Sequence, residues 1–202
     1  MNDEIPQFRA AALMAEIAEN SPAKTPVTVL GPSSLTEIFD PDQGTNGTFN
    51  ILIEDQDGVF EVTPTSGINE ASFILRVRSP LYLDYEKHKT FNLSLVAEET
   101  APTRRRSRIP VTVFVRDQND NFPEFESENI EIFVPENIAP GETLTVVEAK
   151  DLDSGVLGSA GIRYTELSGP IRKLIILKLF LVIELIHQVL LVHKNLSTLS
   201  SL

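Results

Sequence analysis

Side chains that carry oxygen atoms are concentrated in one short segment near the middle of the chain. Residues 117–121 read Asp-Gln-Asn-Asp-Asn and are followed at once by Phe122 and Pro123. Carboxylate, amide and backbone oxygens are the ligands that calcium takes, about six to eight at a time. A similar segment, residues 2–4, is also followed by a proline and a phenylalanine. This recurrence predicts a metal-binding linker between tandem modules rather than a catalytic loop.

The two segments are parts of an internal repeat. A displacement of 117 positions relates the following pairs: Asn2 and Asn119, Asp3 and Asp120, Pro6 and Pro123, Phe8 and Phe125, Glu19 and Glu136, Asn20 and Asn137. At Asp40 and Asp42, which correspond to Asp151 and Asp153, the displacement is 111, because the first copy has six extra residues within 31–38. We therefore expect one complete unit over about residues 6–121 and a second, truncated unit that begins at residue 122.

Charge and composition exclude several classes of function. The chain has 29 acidic and 17 basic residues and a net charge of −12, which argues against nucleic acid as a partner. It has no cysteine, so disulfides and thiolate metal sites are excluded. The sequence contains no phosphate-binding glycine loop, serine-nucleophile motif or zinc-protease motif, and we predict that the protein is not an enzyme. The basic run at residues 104–108 is interpreted as a solvated loop.

Hydrophobic periodicity indicates β-structure. Apolar residues recur at every second position in 73–77, 91–97 and 109–115, which is typical of strands with one buried face. Shorter strands are expected at 13–18, 26–30, 49–53 and 59–63. Seven strands in one unit predict an all-β fold, an Ig-like Greek-key β-sandwich. Residues 80–86 interrupt the pattern and predict a short helical turn, which would place Asp84 and Glu86 at one end of the sandwich.

Several motifs, taken in this order, resemble the calcium motifs of cadherin extracellular repeats. These motifs are Glu19-Asn20 and Glu136-Asn137, Asp-x-Asp-x-Gly at Asp40 and at Asp151, Leu83-Asp84-Tyr85-Glu86, and the segment 117–121. The resemblance covers about residues 2–165. It implies the end of an upstream linker at 1–8, a complete cadherin repeat at 9–121, the first part of a second repeat at 122–169 and a non-repeat tail at 170–202.

The residues themselves supply most of the ligands that a calcium joint needs. Seven carboxylates and one amide oxygen are available, and a cluster of like charges of this size requires cations to neutralise it. The resemblance implies about three calcium ions in such a joint, with backbone carbonyls from Gln118 and Asn121. The predicted metal ligands are Glu19, Asp84, Glu86, Asp117, Gln118, Asn119, Asp120, Asn121, Asp151 and Asp153.

An upstream half-joint is also expected, and it would be completed by a preceding repeat. Its predicted ligands are Asn2, Asp3, Asp40, Asp42, the backbone near Asn46, and Glu99, which stands where the family has aspartate. In the second repeat, residues 155–161 replace the compact Gly-x-Asn-Gly of residues 44–47, which we interpret as an insertion.

The tail has a different composition from the repeats. Residues 174–192 are mostly leucine, isoleucine and valine, interrupted by Lys178, Glu184, His187 and Gln188. Three interpretations stay open: a marginal membrane span, a buried or interfacial helix, and a splicing product or gene-model artefact that does not belong to the repeat. Central charges and basic residues on the outer side disfavour the span.

The resemblance implies calcium-dependent homophilic cell-cell adhesion by an extracellular glycoprotein of the plasma membrane. Its partner would be another cadherin ectodomain, homophilic or heterophilic, and its membrane attachment would come through the parent protein. A calcium-stiffened spacer of a receptor-like protein and a truncated product without function are the alternatives. No signal peptide is visible after Met1. Asn46 and Asn92 match the N-glycosylation acceptor pattern.

Overall fold

The structure is a computed structural model that describes residues 3–54, 58–126, 129–132, 139, 143, 145–164, 174–177, 180–183 and 190–193. These residues form β-strands joined by turns and by short 3₁₀ helices at Ser33–Thr36, Gly44–Gly47, Pro80–Tyr82 and Ser159–Gly161. The strands are β1 Gln7–Phe8, β2 Leu13–Ala18, β3 Thr28–Val29, β4 Glu37–Phe39, β5 Thr48–Glu54, β6 Phe60–Thr63, β7 Ser66–Ile68, β8 Glu70–Ser72, β9 Ile74–Val77, β10 Thr90–Glu99, β11 Arg106–Arg116, β12 Glu124–Phe125, β13 Asn129–Ile132, β14 Val146–Val147, β15 Ala149–Lys150, β16 Leu174–Leu177, β17 Phe180–Ile183 and β18 Leu190–His193.

The chain divides into two compact units, Met1–Gln118 and Asn119–Leu202. In the first unit, the main sheet has the strand order β1-β4-β8-β7-β5-β10-β11-β2-β3, and a second sheet pairs β6 with β9. Strand β10 lies between β5 and β11 and is antiparallel to both. Strand β2 is parallel to β11, with Leu13 opposite Val111 and Ala18 opposite Arg116. Neighbouring strands are therefore often distant in sequence, as the predicted Greek-key connections require.

A single hydrophobic core joins the two sheets of this unit. Alternate side chains of the main-sheet strands β2, β5, β10 and β11 are buried together with side chains of β6 and β9. Phe49, Phe60 and Phe73 are among the largest fully buried side chains. Each such side chain contributes about 1.5 to 3 kcal/mol relative to its exposed state. Burial of alternate residues from two sheets explains the two-residue periodicity of the sequence.

The seven predicted strands are confirmed as β2, β3, β5, β6, β9, β10 and β11, with small changes of bounds. Strands β1, β4, β7 and β8 were not predicted, because segments of two or three residues are too short to show alternation. The predicted helical turn is confined to Pro80–Tyr82. It is followed by Leu83, whose buried side chain anchors the segment that carries Asp84 and Glu86.

The second unit repeats the strand pairing at the start of the first. In the first unit β1 pairs with β4, and Phe8 lies opposite Ile38. In the second unit β12 pairs with β15, and Phe125 lies opposite Ala149. Phe8 and Phe125 are 117 positions apart, and Ile38 and Ala149 are 111 apart. The two displacements found in the sequence therefore correspond to the same backbone pairing in both units.

The described parts of the tail are strands, which differs from the helical interpretations. Strand β16 pairs with β17, β17 pairs with β14, and β18 pairs with β13. Branched and long apolar side chains suit strands when the backbone can pair, and this preference opposes the helix expected from leucine content. Among the described residues no helix has both the length and the apolar character needed to cross a membrane.

Candidate metal centre

The parallel pairing of β2 and β11 places Glu19 and Asp117 at one end of the first unit. Ala18 lies opposite Arg116, so the two strands end side by side and are followed by Glu19 and Asp117. The pairing continues one step further, since Glu19 N donates to Arg116 O at 3.0 Å. Asn20 then turns the chain with a positive φ of 56°. The sheet register therefore sets the separation of Glu19 and Asp117.

The Glu19 carboxylate is buried and holds two backbone amides. Its side chain is 1% exposed, Oε1 accepts from Gln118 N at 2.6 Å, and Oε2 accepts from Tyr85 N at 2.7 Å. Gln118 Nε2 donates in return to Glu19 O at 2.8 Å. A buried carboxylate is costly unless it is hydrogen-bonded or paired with a cation, and the two amides satisfy part of that need. The start of the acidic linker is thereby fastened to the end of β2.

Glu86 brings a third negative charge to this end of the first unit. One Glu86 carboxylate oxygen lies within 4.8 Å of a Glu19 oxygen, and one lies within 4.8 Å of an Asp117 oxygen. Carboxylates this close repel one another, because each charge raises the electrostatic energy of its neighbours. A divalent cation bound between these carboxylates would attract each of them and offset their mutual repulsion.

Asp84 has a different partner. Lys87 N donates to Asp84 Oδ1 at 3.0 Å, and Lys87 Nζ forms a short ion pair with Oδ2. The hydrogen bond from the lysine side chain lowers the pKa of Asp84, an effect that partial burial opposes. Lys87 thus compensates the charge of Asp84, a pairing that the sequence did not indicate.

In the second unit the Asp-x-Asp turn holds the other end of the linker. Asp153 is 6% exposed, and its Oδ1 accepts from Asn121 N at 3.2 Å and from Asn121 Nδ2 at 2.7 Å. Asp153 N donates to Asp151 Oδ1 at 3.1 Å, which closes the turn. Within the described part of the chain, no donor reaches Asp153 Oδ2, although this atom is buried. Asn119 and Asp120 are exposed at the surface of this unit.

The loops after Asp42 and after Asp153 share the positions of their first two glycines, whereas the 3₁₀ helix spans Gly44–Gly47 in one and Ser159–Gly161 in the other. Gly44 and Gly155 have positive φ values of 60° and 56°. A Cβ atom on Gly47 would lie 2.8 Å from Asp42 O, and one on Gly158 would overlap with Asp153 O. Both glycines therefore allow the chain to pass close to the Asp-x-Asp backbone. Gly155 and Gly158 correspond to Gly44 and Gly47 at the displacement of 111, and Leu157 stands where the first copy has Asn46.

The upstream end of the first unit repeats the Asp-x-Asp arrangement. Asp42 accepts backbone hydrogen bonds from Asp3 at 3.5 Å and from Glu4 at 3.3 Å, and its own amide donates to Asp40 Oδ1 at 3.0 Å. Asp40 is 3% exposed, and no donor in the described residues reaches its Oδ2. Burial raises the pKa of Asp40, and the neighbouring charges of Asp42 and Glu99 act in the same direction. Asn69 orders this turn by donating to Asp42 O and accepting from Asp40 N.

Glu99, a predicted ligand of the upstream half-joint, is bound to Arg105. Arg105 Nε donates to Glu99 Oε2 at 3.2 Å, and Nη2 lies 2.8 Å from Oε1. The role of Arg105 was not predicted from the sequence, because a basic run such as residues 104–108 is usually a solvated loop. Asn69 was also missed, although an asparagine directly after a short strand is a signal for a positive-φ turn.

The remaining predicted site residues lie at the surface or outside the described residues. Asn46 is exposed on the 3₁₀ helix Gly44–Gly47. Asn92 is exposed on β10 and accepts from Thr112 Oγ1 at 3.0 Å. Asn2, together with Glu136 and Asn137 of the second repeat, lies outside the described residues.

The donor sets fit a hard divalent cation. At each Asp-x-Asp turn, a buried carboxylate oxygen has no hydrogen-bond donor within the described residues, and the other aspartate of the pair also offers carboxylate oxygens. Calcium accepts such mixed sets of carboxylate and carbonyl oxygens with flexible geometry. The acidic clusters of this chain are thus typical of calcium sites.

Comparison with solved structures supports the fold. Mouse Cadherin-23 EC22-24 matches with a TM-score of 0.70 and 25% sequence identity, over 90% of this chain and 54% of that chain. The structure of mouse clustered PcdhgC3 EC1-3 matches with a TM-score of 0.67 at 23% identity, over 91% of this chain and 57% of that chain. These likenesses identify an all-β cadherin-repeat sandwich.

Comparison of sequences identifies the family. The chain is 34% identical over 165 residues to Cadherin-86C of Drosophila melanogaster, which covers 81% of this chain and 8% of that protein. It is 37% identical over 134 residues to Cadherin-related family member 1 of Xenopus laevis, covering 66% of this chain and 15% of that protein. The chain thus spans only a small part of these relatives. Since a cadherin-domain family model also matches residues 14–116, this chain belongs to the cadherin family.

Proposed function

We propose that this chain is a calcium-binding stretch of a cadherin ectodomain, in which calcium fixes two successive repeats through the linker at residues 117–121. One observation carries the proposal: two buried carboxylates, one from each unit, hold the backbone of this linker. Glu19 accepts from Gln118 N, and Asp153 accepts from Asn121 N. Each unit thereby shapes its own part of a segment whose remaining side chains are acids and amides.

The proposed ligands divide by unit. The first unit supplies Glu19, Glu86 and Asp117, with Asp84 as a further ligand once Lys87 has moved away. The second unit supplies the linker oxygens of residues 119–121 and the Asp-x-Asp pair at residues 151 and 153. Bound calcium would offset the repulsion among the carboxylates. It would also stabilise the arrangement in which both units contribute ligands. We place the repeats at residues 9–121 and 122–169, with 1–8 as the end of an upstream linker and 170–202 as a non-repeat tail.

Cell adhesion is the activity that we propose for the protein that contains this repeat. Cadherin ectodomain repeats are extracellular parts of membrane proteins, and members of the family interact with other cadherins. The family is not enzymatic. We propose that calcium, by stiffening the linker, holds the ectodomain in the form that meets another cadherin ectodomain at the cell surface, with a copy of the same protein as the favoured partner.

Calorimetric titration of the whole chain with calcium tests the proposed site. We expect saturable binding that is weakened in Asp120→Ala and retained in Glu54→Gln. Glu54 is a suitable control because it is an exposed acid on β5 that pairs with Arg108 at 2.9 Å and belongs to none of the calcium motifs. Equal heats for the two variants would contradict the assignment of the linker as the binding site.

A structural spacer is the second candidate function. Cadherin-86C, of which this chain covers 8%, is a much longer protein, and a long series of stiffened repeats can hold other domains at a distance. Beads coated with an ectodomain that contains this chain distinguish the two functions. Calcium-dependent aggregation of the beads supports adhesion, and dispersed beads with intact calcium binding support the spacer.

A further inference from the structure

We propose that Arg105 acts as a built-in cation at the upstream end of the complete repeat. It binds Glu99 in place of a calcium ion and fastens Asp3 and Glu4 to the repeat when calcium is absent. The inference rests on the proposed function only in treating this end as one half of a calcium joint. It concerns the regulation of that half: attachment of the upstream linker that does not depend on calcium.

Glu99 is paired with a cation of its own repeat. Its side chain is fully buried, and Oε2 accepts from Thr103 Oγ1 at 2.8 Å, from Arg105 N at 3.3 Å and from Arg105 Nε at 3.2 Å. Its other oxygen lies 2.8 Å from Arg105 Nη2. A carboxylate with these neighbours has its charge compensated without a metal ion.

The same guanidinium also binds the upstream linker. Arg105 Nη1 donates to Asp3 O at 2.8 Å, and Nη2 donates to Glu4 O at 3.0 Å. These bonds join positions that are about one hundred residues apart in the sequence. A carboxylate and two backbone carbonyls are the kinds of ligand that calcium takes. Arg105 collects these ligands with the fixed fork of its N–H groups, which an ammonium group does not have.

The other acidic pair at this end remains available to a cation. Asp40 Oδ2 is buried and accepts no hydrogen bond from the described residues. Glu99 differs, because its Oε2 accepts three hydrogen bonds and its Oε1, which accepts none, forms an ion pair with Arg105 Nη2 at 2.8 Å. Asp42 uses its carboxylate to accept from the amides of Asp3 and Glu4. Linker residues 3 and 4 are thus held on both sides, by Asp42 at their amides and by Arg105 at their carbonyls. We infer that calcium at this end binds at Asp40 and Asp42 and leaves Glu99 with Arg105.

The neighbouring Arg106 provides a matched control. Arg106 lies 3.7 Å from the exposed carboxylate of Glu54 and makes none of the linker contacts that Arg105 makes. Replacement of Arg106 removes the same charge from the same basic run. Any effect that is specific to Arg105 therefore reports the contacts with Glu99 and the linker, and not the net charge.

Amide hydrogen exchange followed by NMR tests the proposal on the full chain in EDTA. We expect the amides of Asp3 and Glu4 to be protected in the wild type and in Arg106→Ala, and to exchange at least about tenfold faster in Arg105→Ala. Arg105→Lys should protect them only partly, because lysine cannot reproduce the forked contacts. If Arg105→Ala does not fold, as judged from core amides in β10 and β11, the double variant Glu99→Gln/Arg105→Ala removes the buried charge as well and is measured instead.

Two results would overturn the proposal. The first is protection of Asp3 and Glu4 in EDTA that is equal in the wild type and in the Arg105 variant, or absent from both. The second is a change in the Arg105 Nε–H resonance at millimolar calcium that shows release from Glu99; we expect this resonance to stay in place. Failure of the proposed function is distinguishable, because it would appear as a lack of any calcium effect on the amides of residues 117–121, whatever happens at Arg105.

Discussion

Glu19 Oε1 accepts a hydrogen bond of 2.6 Å from the backbone amide of Gln118, which lies 99 positions later in the chain. The contact exists because β2 and β11 are parallel and end at the same edge of the sheet. It links Glu19, directly after β2, to the first residues of the linker. The proposed calcium joint therefore begins from a backbone arrangement that the β-sandwich itself provides.

Asp120→Ala should weaken calcium binding by at least about tenfold, which corresponds to about 1.4 kcal/mol. Asp120 is exposed, so its replacement leaves the core intact and removes one carboxylate from the linker. Titration calorimetry measures the change. Glu54→Gln serves as the control, and an unchanged affinity in Asp120→Ala would show that this carboxylate is not a ligand.

Glu86→Gln should change stability in opposite directions with and without calcium. In EDTA the substitution removes a charge that lies near the Glu19 and Asp117 carboxylates, and we expect the free energy of unfolding to rise by about 1 kcal/mol. In millimolar calcium the same change removes a ligand, and the free energy of unfolding should fall. Urea denaturation in the two buffers provides both values, and a shift of the same sign in both would contradict the assigned role.

Lys87→Met should increase the affinity for calcium. Lys87 forms the ion pair with Asp84, and a cation must displace the ammonium group before Asp84 can serve as a ligand. Methionine keeps an apolar stem of similar length and removes the competing charge. Lys24→Met, which breaks the surface pair with Glu61, is the control. An affinity that falls or does not change in Lys87→Met would mean that Asp84 is not a ligand.

Gly158→Ala should disturb the Asp-x-Asp turn of the second unit. The added Cβ would overlap with Asp153 O, which forces the backbone to shift, at a cost of about 1 to 3 kcal/mol for overpacking. We expect weaker calcium binding by titration calorimetry, because Asp153 would lose its position. Gly155→Asn is the matched control, since nothing lies within 4 Å of a Cβ there and asparagine tolerates positive φ. Equal calcium affinities for the two variants would argue against a role for this turn.

The sequence predicted the sandwich well where strands were long enough to alternate. Buried Phe91, Leu93 and Leu95 on β10 show the period of two directly, whereas β1, with two residues, shows no period. Strand β1 becomes recognisable only through its pairing with β4, since Phe8 lies opposite Ile38. Backbone pairing between distant segments is a tertiary property that local patterns do not contain.

The sequence motifs identified acidic residues of the candidate site. They did not identify the basic residues that pair with some of these acids, or the asparagine that orders one of the turns. The motifs located Glu19 and Asp153, because carboxylates at characteristic spacings are visible in a sequence. Arg105 and Lys87 were not recognised as partners of Glu99 and Asp84, because an ion pair depends on side-chain direction as well as spacing. Asn69 was missed for a related reason, since its side-chain hydrogen bond to Asp42 O spans 27 positions.

Thermal unfolding of the whole chain with and without millimolar calcium is the most direct test of the central claim. A ligand that binds only the folded joint must stabilise it, by about 2.7 kcal/mol when its concentration is a hundred times the Kd. We predict a clear rise in Tm with calcium that is largely lost in Asp120→Ala. The same Tm in calcium and in EDTA for the wild-type chain would contradict the claim that calcium holds these repeats together.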